Sequence, residues 1–143
     1  MTKQEIEKKV ELIREISGCD PYKCMKCGSV VAKLNPIGCD PSCCGETMVE
    51  LKAGVTDAAT EKHVPVVAEK DGKVYVQVGE VAHPMLENHF IEWVYLLTDK
   101  GGYFHFLKPG GEPKTVFALL EDEVPLEVYE YCNLHGLWKA DLD

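Results

Sequence analysis

The positions of the cysteines constrain this chain more than any other feature of its sequence. Six of the seven cysteines lie between Cys19 and Cys44, and only Cys132 lies outside that segment. Residues 19–52 are rich in turn-forming residues and carry too little apolar surface to fold by core burial alone. Because the cysteine count is odd and the charged N-terminus has no export signal, bound metal is favoured over disulfides as the cross-link of this segment.

The cysteine spacing within this segment is typical of a metal site. Cys24 and Cys27 form a CxxC turn, and the adjacent pair Cys43 and Cys44 follows after fifteen further residues. Four thiolates so arranged suit a tetrahedral iron or zinc site, the alternatives being reduced core cysteines or a local disulfide. Consecutive side chains diverge, so binding by the adjacent pair should open one sulfur–metal–sulfur angle. The remaining thiols of this segment are Cys19 and Cys39. Either could replace one of the four ligands, and otherwise we predict that they are structural or redox-active.

The charge of the chain is distributed unevenly. Fifteen basic and 24 acidic residues give a net charge of −9, and residues 53–143 carry all of this excess because residues 1–52 contain eight of each sign. A chain this acidic is a poor partner for nucleic acid or for an anionic membrane surface. No apolar run approaches the roughly 20 residues of a membrane span, so we expect a cytoplasmic protein without a membrane partner.

The first part of the chain is predicted to be a helix. Residues 2–17 have helical periodicity, and Thr2 and Glu5 have the spacing of a capping box. Gly18 is a plausible helix stop. The apolar stripe of this helix consists of Ile6, Val10, Ile13 and Ile16. It predicts that the helix docks on the rest of the protein or contacts a second copy. Together with the cysteine segment this divides the chain into three predicted parts, 1–18, 19–52 and 53–143.

The third part has the periodicity of β-strands. From residue 63 onward, apolar and polar residues alternate with a period of two, and turn signals recur at regular spacing. Asp71-Gly72 is a strong hairpin signal. Residues 53–60 are small and weakly structured, which indicates a linker. The predicted strands are 64–68, 73–78, 89–98, 103–108, 114–120 and, as the last one, 126–132. This pattern predicts an antiparallel sandwich or barrel.

The histidines of this part are grouped around predicted loops and turns. Any one histidine is more often an ordinary packed residue than a ligand, but a β-scaffold can bring several loops together at one end. His105 is predicted to be a strand residue. The donors that the loops could bring together with Cys132 are His63, His83, His89 and His135.

Several motifs in this order resemble a known family. The segments EKHVPV, AHPM, HFIEW and CNLHGLWK, in residues 61–139, resemble superoxide reductase. The segments YKCMKCG and CCGETM, in residues 22–48, resemble the desulforedoxin-type domain that precedes it in desulfoferrodoxins, the two-iron form of that enzyme. The resemblance covers about residues 20–143 and leaves out the first helix. It implies a mainly β fold, in which a small desulforedoxin-like domain is followed by an immunoglobulin-like antiparallel β-sandwich.

The resemblance also implies two irons and their ligands. Cys132 is expected to be the axial ligand of a catalytic iron, with His135 binding through Nδ1 and the other histidines through Nε2. The expected equatorial ligands are His63, His83, His89 and His135. The second iron is expected at Cys24, Cys27, Cys43 and Cys44, where it either relays electrons or acts as a structural staple.

The expected reaction is the reduction of superoxide, with one electron and two protons, to hydrogen peroxide. Lys62 is expected to attract the anion and to position a water that delivers protons, and Glu61 to become a sixth ligand after the product leaves. Backbone N–H groups of Asn133 and Leu134 are expected to donate to the Cys132 sulfur. The resemblance further implies a rubredoxin as electron donor and a homodimer.

Three other functions are compatible with the same residues. The first is an electron-transfer protein whose irons turn over no substrate. The second is a zinc-bound structural or interaction module in which the histidines are incidental. The third is dismutation of superoxide, which the thiolate and Glu61 disfavour because both stabilise ferric iron. Metal content and an open ferrous position separate these alternatives.

Overall fold

Strands dominate the computed structural model, which describes residues 2–16 and 20–142. The predicted helix stop at Gly18 and the predicted thiol at Cys19 lie outside the described residues. The mainly β fold class, with an N-terminal helix, a small cysteine-rich unit and an antiparallel β-sandwich, is confirmed.

The N-terminal helix is confirmed as α1, Lys3–Ile16. It begins with the predicted capping box, in which the backbone N–H of Thr2 donates to Glu5 Oε2 at 2.9 Å and the N–H of Glu5 donates to Thr2 Oγ1 at 3.2 Å. Ile6 is buried and, with Val10, packs on an apolar cluster of the sandwich that includes Leu126. The helix therefore docks on its own chain.

The cysteine-rich unit is built from short strands. They are β1 Asp20–Lys23, β2 Val30–Lys33, β3 Ser42–Cys43, β4 Glu46–Thr47 and β5 Val49–Glu50. One sheet has the order β2-β1-β5, and β3 pairs with β4. The apolar core of this unit consists of Tyr22, Cys24 and Met48, with Cys43 against them. A core this small agrees with the prediction that the unit needs a metal cross-link.

The sandwich follows a short helical turn, α2 Thr60–His63. Its strands are β6 Pro65–Lys70, β7 Lys73–Val78, β8 Ile91–Thr98, β9 Gly101–Phe106, β10 Lys114–Ala118, β11 Pro125–Cys132 and β12 Gly136–Asp141. Sheet A has the order β10-β7-β6, and sheet B has the order β12-β11-β8-β9. Asp71 and Gly72 have φ angles of 52° and 74°, as the predicted tight hairpin between β6 and β7 requires.

The two sheets enclose the main core. Alternate residues of β7 point inward, where Val74, Val76 and Val78 are fully buried against Val94 and Val128 of sheet B. The outer face of sheet B is also covered, by α1 and by residues that lead out of the cysteine-rich unit. Strands β8 and β11 are therefore buried on both faces, which explains their nearly continuous apolar sequence.

Strands β12 and β1 are two of those that were missed from sequence. The predicted last strand, 126–132, is followed by β12, because Gly136 with φ 79° turns the chain back so that Cys132 pairs with Gly136. Strand β1 was also missed, because Asp20 and Pro21 have low strand propensity. It forms nonetheless as the central strand of its sheet, where it pairs with β2 and β5.

A buried carboxylate joins the end of β8 to the loop before β11. Glu123 accepts hydrogen bonds from Thr98 Oγ1 at 2.6 Å, from the Tyr103 hydroxyl at 2.7 Å and from the backbone N–H of Leu120 at 3.1 Å. Burial by itself would raise the pKa of Glu123, but these donors outweigh it and the pKa is lowered.

We expect Glu123→Gln to lower the free energy of unfolding at pH 7 by about 1–3 kcal/mol, because buried donors lose a charged acceptor. A lowered pKa means that this stabilisation is present above the pKa of the unfolded chain and is lost as the pH falls through the folded value. Urea unfolding of both proteins at pH 7 and pH 3 measures the difference, with the exposed Glu121→Gln as control. An equal difference at both pH values would contradict the assignment.

Candidate metal centres

One end of the sandwich gathers five potential metal donors. His63 ends α2, His83 and His89 lie in the connection from β7 to β8, Cys132 ends β11, and His135 lies in the turn before β12. One donor atom of each of these residues lies within 4.8 Å of the corresponding atoms of all the others. The structure therefore brings together the five residues that the sequence motifs singled out.

The hydrogen bonds of two histidines show that this group needs a cation. His63 Nδ1 and His83 Nδ1 each donate to a backbone carbonyl, of Ala59 and Pro84 respectively, at 2.7 Å. A carbonyl can only accept, so in the neutral rings both Nε2 atoms carry lone pairs. These two Nε2 atoms face each other at 3.2 Å. Two lone pairs at this distance repel each other unless a proton or a metal ion lies between them, and the lowered pKa of both rings disfavours the proton.

The remaining donors face the same point. His135 Nδ1 lies 3.1 Å from His63 Nε2, and the Cys132 sulfur lies 3.4 Å from His83 Nε2. His89 Nε2 is buried and has no hydrogen-bond partner among the described residues. A buried unpaired nitrogen costs about 1–3 kcal/mol, which a metal bond would offset. Five nitrogen and sulfur donors exceed the four of a structural zinc site and suit non-haem iron.

The electrostatics of the group favour neutral imidazoles. Burial lowers the pKa of His63 and His89, and it lowers the pKa of His83 to about 4. Neutral imidazole is the form that binds metal. Burial also raises the pKa of the Cys132 thiol, so a cation beside the sulfur is needed to hold the thiolate.

The expected donors to the Cys132 sulfur need one correction. The groups that hydrogen-bond to the sulfur, and so oppose the effect of burial on its pKa, are the backbone N–H groups of His135 and Leu134. The N–H of Asn133, which was expected to do this, donates instead to the carbonyl of Phe90 at 3.2 Å. Leu134 and His135, which follow Asn133, are then the residues whose N–H groups face the sulfur.

The predicted reaction residues Glu61 and Lys62 lie on α2, and both are exposed. Lys62 lines a cleft of about 330 Å³, together with Ala58, Ala59, Pro84 and the four histidines of the group. Its charge contributes to lowering the pKa of His63 and His89. Glu61 does not line this cleft. The structure thus places a positive charge at the cleft and leaves Glu61 outside it.

Two further residues near this site were missed from sequence. Gly79, with φ 86°, lies against α2, and a Cβ there would clash with the carbonyl oxygen of Val81 and lie only 2.6 Å from the carbonyl oxygen of Lys62. Glu130 is fully buried, its carboxylate oxygens have no hydrogen-bond partner among the described residues, and burial raises its pKa to about 9. The one available signal for Glu130 was a charged residue at an inward-facing strand position.

The second group of donors lies in the cysteine-rich unit and consists of the predicted Cys24, Cys27, Cys43 and Cys44. The sulfur of Cys43 lies 3.7 Å from that of Cys27 and 3.8 Å from that of Cys44. Metal–sulfur bonds of about 2.3 Å give a tetrahedron with edges of about 3.8 Å. Cys44 has a left-handed backbone with φ 54°, which lets its sulfur lie near that of the adjacent Cys43. The expected opening of one sulfur–metal–sulfur angle stays a prediction.

The charges of this group also call for a cation. Backbone N–H groups of Cys27 and Lys26 hydrogen-bond to the Cys24 sulfur and lower its pKa to about 6. The neighbouring sulfurs, first that of Cys24, raise the pKa of Cys43 to about 12. Full ionisation of the group therefore requires bound metal. Cys24 is buried, whereas Cys27 and Cys44 are exposed, so the site lies at the protein surface.

Other candidates lie outside both groups. Cys39 is an exposed free thiol that does not join the four cysteines. His105 Nδ1 lies 2.7 Å from Thr115 Oγ1, and the ring stacks on Phe117 at 4.0 Å, so His105 is the strand residue that was predicted. In the part of the chain that the structure describes, no helix is long and apolar enough to cross a membrane.

Comparison with known proteins gives a consistent result. A family model described as Desulfoferrodoxin matches residues 55–141. The desulfoferrodoxin of Nitratidesulfovibrio vulgaris is 49% identical over 120 residues, which are 84% of this chain and 94% of that protein. The superoxide reductase of Thermococcus kodakarensis is 36% identical over 109 residues, which cover 64% of this chain and 93% of that protein.

A solved structure is also similar along most of the chain. The crystal structure of the superoxide reductase from Treponema pallidum matches with a TM-score of 0.72 and 40% identity. The match covers 85% of this chain and 98% of that chain. The similarity therefore extends beyond the sandwich.

The contact between Gly79 and α2 gives a prediction for the histidine site. Gly79→Ala should lower the free energy of unfolding by about 1–3 kcal/mol more than Gly110→Ala. Both glycines have φ 86°, but a Cβ on Gly110 meets no atom within 4 Å in the described part of the chain. Backbone strain is thus common to both variants, and only Gly79→Ala displaces the backbone beside Lys62.

Urea unfolding measures this difference, and iron analysis of the same samples reports on the two centres. We expect Gly79→Ala to lose iron from the histidine site and to keep it at the four cysteines. Equal stability and equal iron content in the two variants would show that the close approach of Gly79 to Lys62 does not hold α2 in place.

Proposed function

Because the chain belongs to the desulfoferrodoxin family, we propose that it is a superoxide reductase, which reduces superoxide to hydrogen peroxide. The observation that carries this proposal is the convergence of five nitrogen and sulfur donors on one point, in a cleft lined by Lys62. The proposed ligands of the catalytic iron are His63, His83, His89, His135 and Cys132. The proposed ligands of the second iron are Cys24, Cys27, Cys43 and Cys44.

The proposed iron ligands leave room for a small substrate. The five residues would hold the iron, and the cleft beside them has room for a substrate of two atoms. Ferrous iron, when bound, supplies the electron that amino-acid side chains cannot supply. The neutral imidazoles add no charge of their own, and the N–H groups of Leu134 and His135 hold negative charge on the Cys132 sulfur.

Lys62 is proposed to attract the substrate anion. The net charge of −9 repels superoxide at long range, so a local positive charge at the cleft is needed to bring it in. The Lys62 ammonium also suits a water that passes protons to the reduced substrate. Glu61 lies outside the cleft, so the proposal that it would become a further ligand of the iron after hydrogen peroxide leaves requires α2 to move.

The four-cysteine site is proposed to admit electrons. Two of its cysteines, Cys27 and Cys44, are exposed, so a donor protein can approach the site closely. A rubredoxin is the proposed electron donor. We also propose that the protein is a homodimer in the cytoplasm and that its chain divides into three parts, 1–18, 19–52 and 53–143.

The stoichiometry of the reaction tests the proposed function. With a reductant present, the iron-loaded protein should form one hydrogen peroxide per superoxide consumed, whereas dismutation forms half of one. Cys132→Ser should abolish the thiolate-to-iron band of the catalytic site and leave the bands of the four-cysteine site unchanged. Two bound irons without superoxide consumption would favour an electron-transfer protein, and zinc at both sites would favour a structural module.

Replacement of Lys62 tests the proposed capture of the anion. We expect Lys62→Ala to lower the second-order rate constant with superoxide by about tenfold at low ionic strength, and the difference to shrink as salt screens the charge. Pulse radiolysis measures this rate constant. Lys73→Ala is the matched control, because Lys73 is exposed and lies at the opposite end of β7. A rate constant that is unchanged at full iron content would exclude this role.

A further inference from the structure

Asn133 connects the loop that holds Cys132 to the loop that holds His89. Its side-chain Oδ1 accepts a hydrogen bond from the backbone N–H of Phe90 at 2.9 Å. Its side-chain Nδ2 donates to the carbonyl of Asn88 at 3.1 Å. Its own backbone N–H donates to the carbonyl of Phe90 at 3.2 Å. These three hydrogen bonds end on the two residues that flank His89 in the chain.

The chemistry of the side chain suits this connection. A primary amide has an acceptor oxygen and a donor nitrogen on one short stem, so it can pair with an N–H and a C=O at the same time. Aspartate would keep the acceptor for Phe90 and lose the donor for Asn88. Alanine would lose both and leave only the backbone contact. Asparagine is therefore matched to the two backbone groups beside His89.

The backbone contact of Asn133 also affects the sulfur of Cys132. Because the N–H of Asn133 is directed to Phe90, it does not compete for the sulfur. The next two N–H groups, of Leu134 and His135, are the ones that hydrogen-bond to the sulfur. Hydrogen bonds to a ligand thiolate decrease the electron density that it donates to the metal. The orientation of Asn133 thus links the position of His89 to the donor strength of Cys132.

We propose that Asn133 is a positioning residue, which holds the His89 loop against the Cys132 turn and thereby sets both the metal affinity of this site and the electron donation of its thiolate. The proposal rests on the proposed iron site. Asn133 itself touches neither the metal nor the substrate. It acts through the backbone of Asn88 and Phe90 on one side and through the turn at Leu134 and His135 on the other.

The test compares Asn133→Ala and Asn133→Asp with Asn88→Ala in iron-loaded protein. Asn88→Ala is the matched control, because it removes a side-chain amide beside the same contact but keeps the backbone carbonyl that Asn133 uses. The readouts are the energy of the thiolate-to-iron band after oxidation and the rate at which a chelator removes iron from each site. The four-cysteine site in the same molecule serves as an internal reference for folding.

We expect Asn133→Ala to shift the thiolate band and to speed iron loss from the histidine site by about 10–100-fold, as is typical when a partner of metal ligands is removed. Asn133→Asp should give a smaller change in both quantities. Iron loss from the four-cysteine site should stay within twofold of the wild type. If the alanine variant does not fold, the comparison of Asn133→Asp with Asn88→Ala decides whether the proposal holds.

Two results would overturn the proposal. The first is a band energy and a chelation rate in the Asn133 variants equal to those of Asn88→Ala. The second is a wild-type protein without a thiolate band at the histidine site, which would also overturn the proposed function. The proposed function can fail without the proposal for Asn133 failing. If the wild-type protein shows the thiolate band but consumes no superoxide, the effect of the Asn133 variants on that band can still be measured.

Discussion

The repulsion between lone pairs at the end of the sandwich is the constraint on which the functional part of this structure depends. Backbone carbonyls of Ala59 and Pro84 fix the tautomers of His63 and His83, so that their Nε2 atoms face each other at 3.2 Å as acceptors. Only a bound cation makes that arrangement favourable. Hydrogen bonds between the histidine rings and the backbone therefore orient the donor atoms for a metal, although these bonds do not involve the metal.

The scaffold can hold this arrangement because strands β8 and β11 are buried on both faces. Cys132 is the last residue of β11 and His135 lies in the turn that follows, so both start from a rigid position. Backbone contacts hold the other ligand loops to this position and to each other. The N–H of Asn133 donates to the carbonyl of Phe90 at 3.2 Å, and the N–H of Val81 donates to the carbonyl of Glu61 at 2.9 Å. Buried apolar area sets the frame, and a few directional hydrogen bonds set the site within it.

The two candidate centres depend on their surroundings in opposite ways. The histidine site lies at the end of a sandwich with a large core, which can form before metal binds. Among the described residues, the core of the cysteine-rich unit consists of Tyr22, Cys24 and Met48 with Cys43 against them, so its fold depends on the metal that its thiolates bind. A surface site of that kind suits electron exchange with a partner, whereas the recessed site with Lys62 suits a small anion.

Much of this protein could be predicted from its sequence, because many of its features depend on neighbouring residues. The capping box at Thr2 and Glu5 and the tight turn at Asp71-Gly72 are local patterns whose geometry follows from spacing alone. The two groups of ligands were predicted from the resemblance of their motifs to a known family. The tertiary structure decided four other features. They are the left-handed turn at Cys44, the close approach of Gly79 to Lys62, the pairing of β12 and the contacts of Asn133 with Phe90. The contacts of Gly79 and Asn133 depend on which distant backbone groups meet after the chain folds. Hydrogen-bond partners separated by 40 or more residues, as Asn133 and Phe90 are, leave no periodicity in the sequence.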